Sequence, residues 1–258
     1  MATERDLLSA RLFTHAVFPV IKVILNDDPK MKKRFQEVSA IVQFRAKDNA
    51  GDIAAWLVFD NGEFQVEQGI CENPDIIFSF SSVKKMNDML AGKPVIPKIS
   101  GFGRPVLLAK VFSLLLALKI MMPSARPKNE DKRKLKVKLA FYMVTTALSQ
   151  LNKGGDPDMV KWTVKQPDRV YQITVDGGDI AAYLRVKAGK SKAGRGVYTR
   201  KRPFIHMRFH SVDGALAVLL RDVEFVEGVA KGFVTIEGSP EYAAQLNDFM
   251  QRIQAMLV

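Results

Sequence analysis

Cysteine is nearly absent: Cys71 stands alone in 258 residues. That excludes an internal disulfide and a thiolate metal cluster, and it makes a reducing compartment, the cytoplasm, the expected location. Histidine is scarce too, at three residues. His206 and His210 fall on the polar side of one expected strand. At about 3.3 Å per residue, i and i+4 lie too far apart to chelate one ion unaided. No Gly-Lys-Ser/Thr phosphate loop occurs, and Gly101-Phe102-Gly103-Arg104 lacks the strand-to-helix context of a dinucleotide fingerprint. Cys71 follows a hairpin with no histidine near it in sequence and reads as an inert thiol. Asp27 and Asp28 sit in a turn and read as a helix cap. No nucleophile, base and orienting group converge within one half of the chain. Catalysis is therefore not expected, and neither is a metal or cofactor.

Long uncharged apolar runs are missing as well. The best candidate, 106–122, is interrupted by Lys110 and Lys119, far short of the roughly 20 apolar residues that cross a bilayer. At the amino terminus Glu4 and Asp6 stand where a signal peptide is positive, and Arg11 breaks the apolar part.

Positive charge is what the chain has in excess. A net charge of +12 and a pI of about 9.7 favour anionic partners: lipid headgroups, nucleic acid or phosphate-bearing molecules such as acyl-CoA. They also fit a solubilising surface. The charge concentrates at 128–138 and at 187–202, the second read as a long hairpin loop. Apart from Tyr198 no aromatic residue alternates with these charges as a single-strand platform needs, so nucleic acid is disfavoured. An anionic membrane surface attracts each basic residue by about 1 kcal/mol.

An internal repeat organises the rest. Gly51-Asp52-Ile53-Ala54-Ala55-Trp56-Leu57 recurs 127 residues on as Gly178-Asp179-Ile180-Ala181-Ala182-Tyr183-Leu184. The flanks agree. Pro74-Asp75-Ile76-Ile77-Phe78-Ser79-Phe80 aligns with Pro203-Phe204-Ile205-His206-Met207-Arg208-Phe209 at an offset of 129, and Ser82-Val83 with Ser211-Val212 at the same offset. Ile99-Ser100-Gly101 aligns with Ile236-Glu237-Gly238 at 137. Small steps in the offset are what loop changes inside a duplicated unit produce. The chain reads as two tandem α+β domains, 1–122 and 134–258, joined by a charged linker over 123–133.

Within copy one the pattern predicts a helix over 4–25, bent or broken near Pro19, and a short helix from Asp28-Pro29 to about 37. Three strands follow at 40–46, 53–59 and 63–68, the last two joined by the type I′ signal Asn61-Gly62. A fourth strand over 75–81 puts Ile76, Phe78 and Phe80 on one side. Ser82 caps a helix carrying Val83, Met86 and Leu90. A short strand over 95–100 and an apolar helix from Pro105 complete the copy. That helix is either a core helix or the wall of an apolar cavity with an adaptable lining of Met86, Met89, Met121 and Met122. Copy two repeats the plan: a helix over 135–151, an extra strand or support piece at 159–165, and strands at 169–175, 180–186 and about 197–199. Then come a fourth strand over 204–210, a Ser211-capped helix, a last strand over 232–237 and an amphipathic closing helix from Pro240.

In this order of elements the chain resembles the sterol carrier protein type-two family. The residues that carry the resemblance in copy one are Ile53-Ala54-Ala55-Trp56-Leu57-Val58, Pro74-Asp75-Ile76-Ile77-Phe78, Met89-Leu90-Ala91-Gly92-Lys93 and Lys98-Ile99-Ser100-Gly101. In copy two they are Ile180-Ala181-Ala182-Tyr183-Leu184, Phe209-His210-Ser211 and Gly232-Phe233-Val234-Thr235-Ile236-Glu237-Gly238. Copy two departs from the pattern at Leu220-Arg221-Asp222, which stands where copy one has Ala91-Gly92-Lys93. The resemblance implies two sterol-carrier-like domains, each a five-stranded, mainly antiparallel sheet covered by helices. It also implies an internal hydrophobic cavity for a sterol, fatty acyl chain or other apolar lipid. The lining it implies is Phe78, Phe80, Met86, Leu90, Phe102, Leu108, Val111, Phe112 and Leu115 in copy one. In copy two it is Met207, Phe209, Leu216, Leu220, Phe225, Leu246, Phe249, Met250 and Ile253. The expected function is non-enzymatic binding and transfer or presentation of that lipid. The alternative is a scaffold with a filled core that docks a lipid-metabolising enzyme or an anionic membrane.

Overall fold

In the computed structural model, which describes residues 1–101, 103–177 and 179–258, the chain divides into two units. One is Met1–Lys119 with Ala255–Val258, the other Ile120–Gln254. Both are α+β, and each holds one five-stranded sheet covered by helices. Phe102 of the expected lining and Gly178 of the repeat lie outside the described residues.

The first unit opens with α1 (Glu4–Leu12), started by a capping box in which Thr3 and Asp6 satisfy each other's backbone N–H. A π-helical turn, Phe13–Val17, separates it from α2 (Phe18–Asp27). The break expected at Pro19 is thus found a turn earlier. Proline lacks an N–H and its ring presses on the carbonyl four residues back, so the preceding turn widens. The stretch Glu4–Asp27, rather than 106–122, is the one helical segment among the described residues long and apolar enough to cross a membrane, and 61% of its apolar window is buried inside the protein. Asp28 caps α3 (Pro29–Phe35) through the N–H groups of Lys30 and Met31.

The period then switches to two. β1 (Ser39–Ala46), β2 (Ile53–Asp60) and β3 (Glu63–Gln68) form an antiparallel meander. Asn61 and Gly62, with φ of 47° and 95°, take the left-handed angles of a type I′ turn. β4 (Ile76–Phe80) joins β1 in parallel, and β5 (Lys98–Ser100) pairs antiparallel with β4, giving the order β3-β2-β1-β4-β5. Between them Ser82 caps α4 (Val83–Leu90), which packs on α1 and β1. α5 (Pro105–Leu118) then packs on α2 and α3 and ends in a 3₁₀ turn, Lys119–Met121.

The second unit repeats this topology. α6 (Glu130–Lys153) starts at an Asn129 cap, so Glu130 to Arg133, expected as linker, are helical. Glu130 and Asp131 complement the dipole of the first turn. Asp156 caps α7 (Pro157–Val164), a helix where an extra strand or support piece was expected; Asp-Pro at its start is the signal that decides. β6 (Arg169–Val175), β7 (Ala181–Lys187) and β8 (Lys190–Arg195) form the meander. The third strand therefore lies at Lys190–Arg195, not at 197–199. Its turn is Ala188-Gly189, at φ 44° and 82°, and alanine hides a type I′ turn from a reading that looks for Asn-Gly. β9 (Ile205–Phe209) and β10 (Val234–Gly238) complete the order β8-β7-β6-β9-β10, with β6 and β9 parallel. α8 (Val212–Leu219) carries the Ser211 cap, α9 (Phe225–Ala230) is a short helix the sequence pattern did not announce, and α10 (Pro240–Met256) closes the chain.

The repeat extends to single atoms. A Cβ on Gly101 would lie 2.1 Å from the Asp75 carbonyl oxygen, and one on Gly238 would lie 2.2 Å from that of Phe204. Both positions take positive φ, so a glycine that no other residue replaces follows β5 and ends β10. Gly92 and its counterpart Arg221 both adopt left-handed backbone, at φ 88° and 58°. Copy two therefore keeps the turn after losing the glycine.

Candidate functional site

Alternation along β1, β2 and β4 sends Val42, Phe44, Leu57, Ile76, Phe78 and Phe80 to the buried inner face of the first sheet. Parallel pairing sets Phe44 beside Phe78, their rings stacked at 4.9 Å and 11°. Phe18 of α2 meets Phe44 at 5.0 Å, and Phe112 of α5 meets Phe78 edge-on at 5.9 Å. Each such pair is worth about 0.5–1.5 kcal/mol beyond the area it buries. Of the expected lining, Phe78, Phe80, Met86 and Val111 are buried, and Leu90, Leu108 and Leu115 are half-buried. Phe112 touches Phe78 with one edge of its ring and leaves 42% of its surface exposed. The inner stripe of α5 is Leu107, Val111 and Leu114, at i, i+4 and i+7. An all-apolar helix carries no periodic mark of its inner face, so only packing on α2 and α3 identifies it.

In the second unit Met207, Phe209, Leu216, Leu246, Phe249 and Ile253 are buried, while Leu220, Phe225 and Met250 are half-buried. Phe209 meets Phe141 of α6 at 5.5 Å. Phe249 joins an aromatic chain that sequence reading missed: Trp162 at 5.7 Å, then Tyr171, Phe204 and Tyr242 at successive spacings of 5.2, 6.0 and 5.3 Å. The Arg169 guanidinium lies 3.9 Å from the Phe204 ring centroid and 4.5 Å from that of Tyr242. The Tyr171 hydroxyl donates to Gln166 Oε1 at 3.0 Å, and burial pushes its pKa up. Polar contacts also hold α10. Trp162 Nε1 donates to Gln245 at 2.8 Å, and Arg252 donates to Asp156 at 2.6 Å and to Asp158 at 3.0 Å.

A buried glutamine occupies the middle of each central strand, and the sequence reading missed it. Gln43 Oε1 accepts from the Cys71 N–H at 2.5 Å. Gln172, 129 residues on, accepts from the Tyr198 N–H at 2.8 Å and donates to the carbonyls of Ala182 and Gly196. Each pins the segment that leaves the third strand across the outer sheet face. The matching offset is the signal that finds them.

The outer face of the second sheet overturns one expectation. Thr235 Oγ1 sits 2.7 Å from His210 Nε2, and His210 Nδ1 sits 3.0 Å from Asp176 Oδ2, so a hydroxyl, an imidazole and a carboxylate do converge. β6–β9 and β9–β10 pairing assembles groups 25 and 34 residues apart, which no local motif announces. The His210 side chain is 40% exposed and Asp176 33%, so water competes there with any charge stabilisation. Arg208 Nε, at 2.5 Å, and then His210 hold the Asp176 carboxyl below its usual range. The three groups link the end of β6 to β9 and β10. On the same face burial lowers the pKa of His206, which meets Thr174 Oγ1 at 2.8 Å. Among the described residues no three His, Cys, Asp or Glu side chains gather as a metal set.

Much of the basic stretch 187–202 is strand rather than loop. Register sets Arg185 opposite Lys192 and Lys187 opposite Lys190, like charges that repel across the pair. Arg185 and Lys201 converge on Asp168, and Arg185 above all holds that carboxyl far below its usual range. On α6 the buried Lys136 donates to the carbonyls of Met122 and Ala125, and burial lowers its pKa to about 8.

No family model and no curated protein matches the chain. Among solved structures it is similar to a sec-alkylsulfatase double mutant, at 12% identity and a TM-score of 0.29, covering 57% of this chain and 28% of that one. It is also similar to the stereoselective inverting sec-alkylsulfatase of a Pseudomonas species, at 13% identity and a TM-score of 0.25, with the same coverage. The chain thus spans under a third of the length of these proteins.

Proposed function

We propose that the protein binds an apolar lipid, a sterol or fatty acyl chain, between sheet and helices in two units of the sterol carrier type, and transfers or presents it without chemistry. The observation that carries this reading is the repeated build. Two sheets share one strand order, and each turns an apolar face toward its helices. A layer so poor in polar groups selects by shape and apolar area, at about 25 cal/mol per Å², rather than by hydrogen-bond pattern. Purified full-length protein is expected to release an apolar passenger on organic extraction, and native mass spectrometry to show its added mass. Leu108→Trp should then exclude the passenger and leave thermal unfolding unchanged. Protein that arrives empty and rejects fluorescent fatty acids and sterols would falsify the reading.

One observation favours a second reading. Phe78, Met86, Met207, Leu246 and Ile253 are buried outright, as in a core already filled. The protein would then be a scaffold that docks a lipid-metabolising enzyme. In that case Leu108→Trp overpacks and costs about 1–3 kcal/mol of stability.

A further inference from the structure

The outward face of α5 is apolar where a surface helix is normally polar. Val106 is 70% exposed, Leu116 61% and Phe112 42%, with the exposed Ala109 between them. At about 100° per residue Lys110 falls on one border of this strip and Lys119 on the other. Neither lysine has an ion-pair partner among the described residues. Acids are also missing from α5 and its flanks in sequence. From Met89 to Asn129 the chain runs 41 residues without an aspartate or glutamate while carrying seven lysines and arginines. Of the cations there Lys93, Arg104 and Arg126 pair with Asp88, Asp75 and Asp222 outside that stretch, whereas Lys110 and Lys119 form no such pair among the described residues. An exposed apolar strip bordered by cations and set in an anion-free stretch is complementary to one kind of surface, an anionic bilayer. There the apolar side chains enter the headgroup boundary and the lysines meet lipid charge. A second protein chain would have to supply a groove of matching acidity.

We infer that α5 docks the protein flat on an anionic lipid surface through Val106, Phe112 and Leu116, with Lys110 and Lys119 at its border. This is independent of whether a lipid fills either unit, because vesicle binding is read on protein with or without a passenger. The test is flotation of the full-length chain with phosphatidylcholine vesicles, with and without phosphatidylserine, at physiological salt. Retention is expected to rise about tenfold or more with phosphatidylserine and to fall at high salt, since each basic residue at the surface contributes about fivefold. Lys110→Glu with Lys119→Glu should lower it by about tenfold or more. Val106→Ser with Leu116→Ser should do the same by roughly tenfold. Both sites are exposed, so thermal unfolding should not change. Leu116→Trp should shift its emission to the blue on phosphatidylserine vesicles. The control pair Lys190→Glu with Lys192→Glu should change retention by less than about twofold. The inference is overturned if phosphatidylserine brings no retention, if the α5 variants retain like the parent, or if the control pair alone abolishes binding. Self-association that Leu116→Ser removes would equally overturn it, by assigning the strip to a second copy.

Discussion

The two closing helices answer one structural task with different chemistry. α10 buries Leu246, Phe249 and Ile253 and adds directional contacts: Trp162 to Gln245, Arg252 to Asp156 and Asp158, and Tyr242 edge-on to Phe204. α5 is held by apolar contacts, Leu107, Val111 and Leu114 against α2 and α3 with Phe112 against Phe78. Its Ser113 hydroxyl only returns to the Lys110 carbonyl of its own helix. Hydrogen-bonded ion pairs define one geometry, whereas the hydrophobic effect is non-directional. The cover of the first unit is therefore held by packing, and that of the second by packing together with directional bonds. The same contrast runs through the cores: copy one stacks Phe44 on Phe78 where copy two sets Ile173 beside Met207.

Several substitutions would break or sharpen this contrast, and each unit has its own reporter in Trp56 or Trp162. The largest effect is expected in the cores. Phe44→Ala should cost the first unit about 3–5 kcal/mol and the matching Ile173→Ala should cost the second about 2–5, read from urea unfolding followed at the resident tryptophan. Next come the buried glutamines. Gln172→Leu removes the acceptor of the Tyr198 N–H and the donor to the carbonyls of Ala182 and Gly196, and should cost about 1–3 kcal/mol. Gln43→Leu strands a single N–H and should cost less, and equal losses would show the pins to be unlike their geometry. Arg252→Ala should cost about 1–2 kcal/mol and raise hydrogen exchange in α10. Ser113→Ala on α5 should stay within about 0.5 kcal/mol.

Arg221→Gly should stabilise the second unit by about 0.5–1 kcal/mol, because glycine takes the left-handed turn without a Cβ clash. The mirror change Gly92→Arg should destabilise the first. A pH effect is of a different kind. Lys136 titrates near 8 when folded and at 10.5 when unfolded. Between those values the unfolded chain holds a proton the folded one has released. Stability of the second unit should therefore rise as pH climbs from about 8 towards about 10, and Lys136→Met should remove that slope.

Where local chemistry announces an element, the sequence reading and the structure coincide. Asn61-Gly62 marks its hairpin, Ser82 and Ser211 mark their helices, and Asp28-Pro29 marks α3. The misses share a cause. Ala188 hides the turn before β8 because its left-handed φ is imposed by the flanking strands rather than preferred by the residue. Which side of α5 faces inward was hidden because every side of that helix looks alike in sequence. Thr235, His210 and Asp176 carry no local motif, and only strand pairing brings them together.

The sequence by itself determined the α+β class, the repeat, its spacing and most turns, because those follow from periodicity, caps and backbone preferences that act over a few residues. Tertiary structure decided which face of an apolar helix points inward, which polar groups meet across strands, and that one closing helix is clamped while the other lies half open to solvent. Those outcomes depend on what packs against each side chain, and no window of neighbouring residues contains that information.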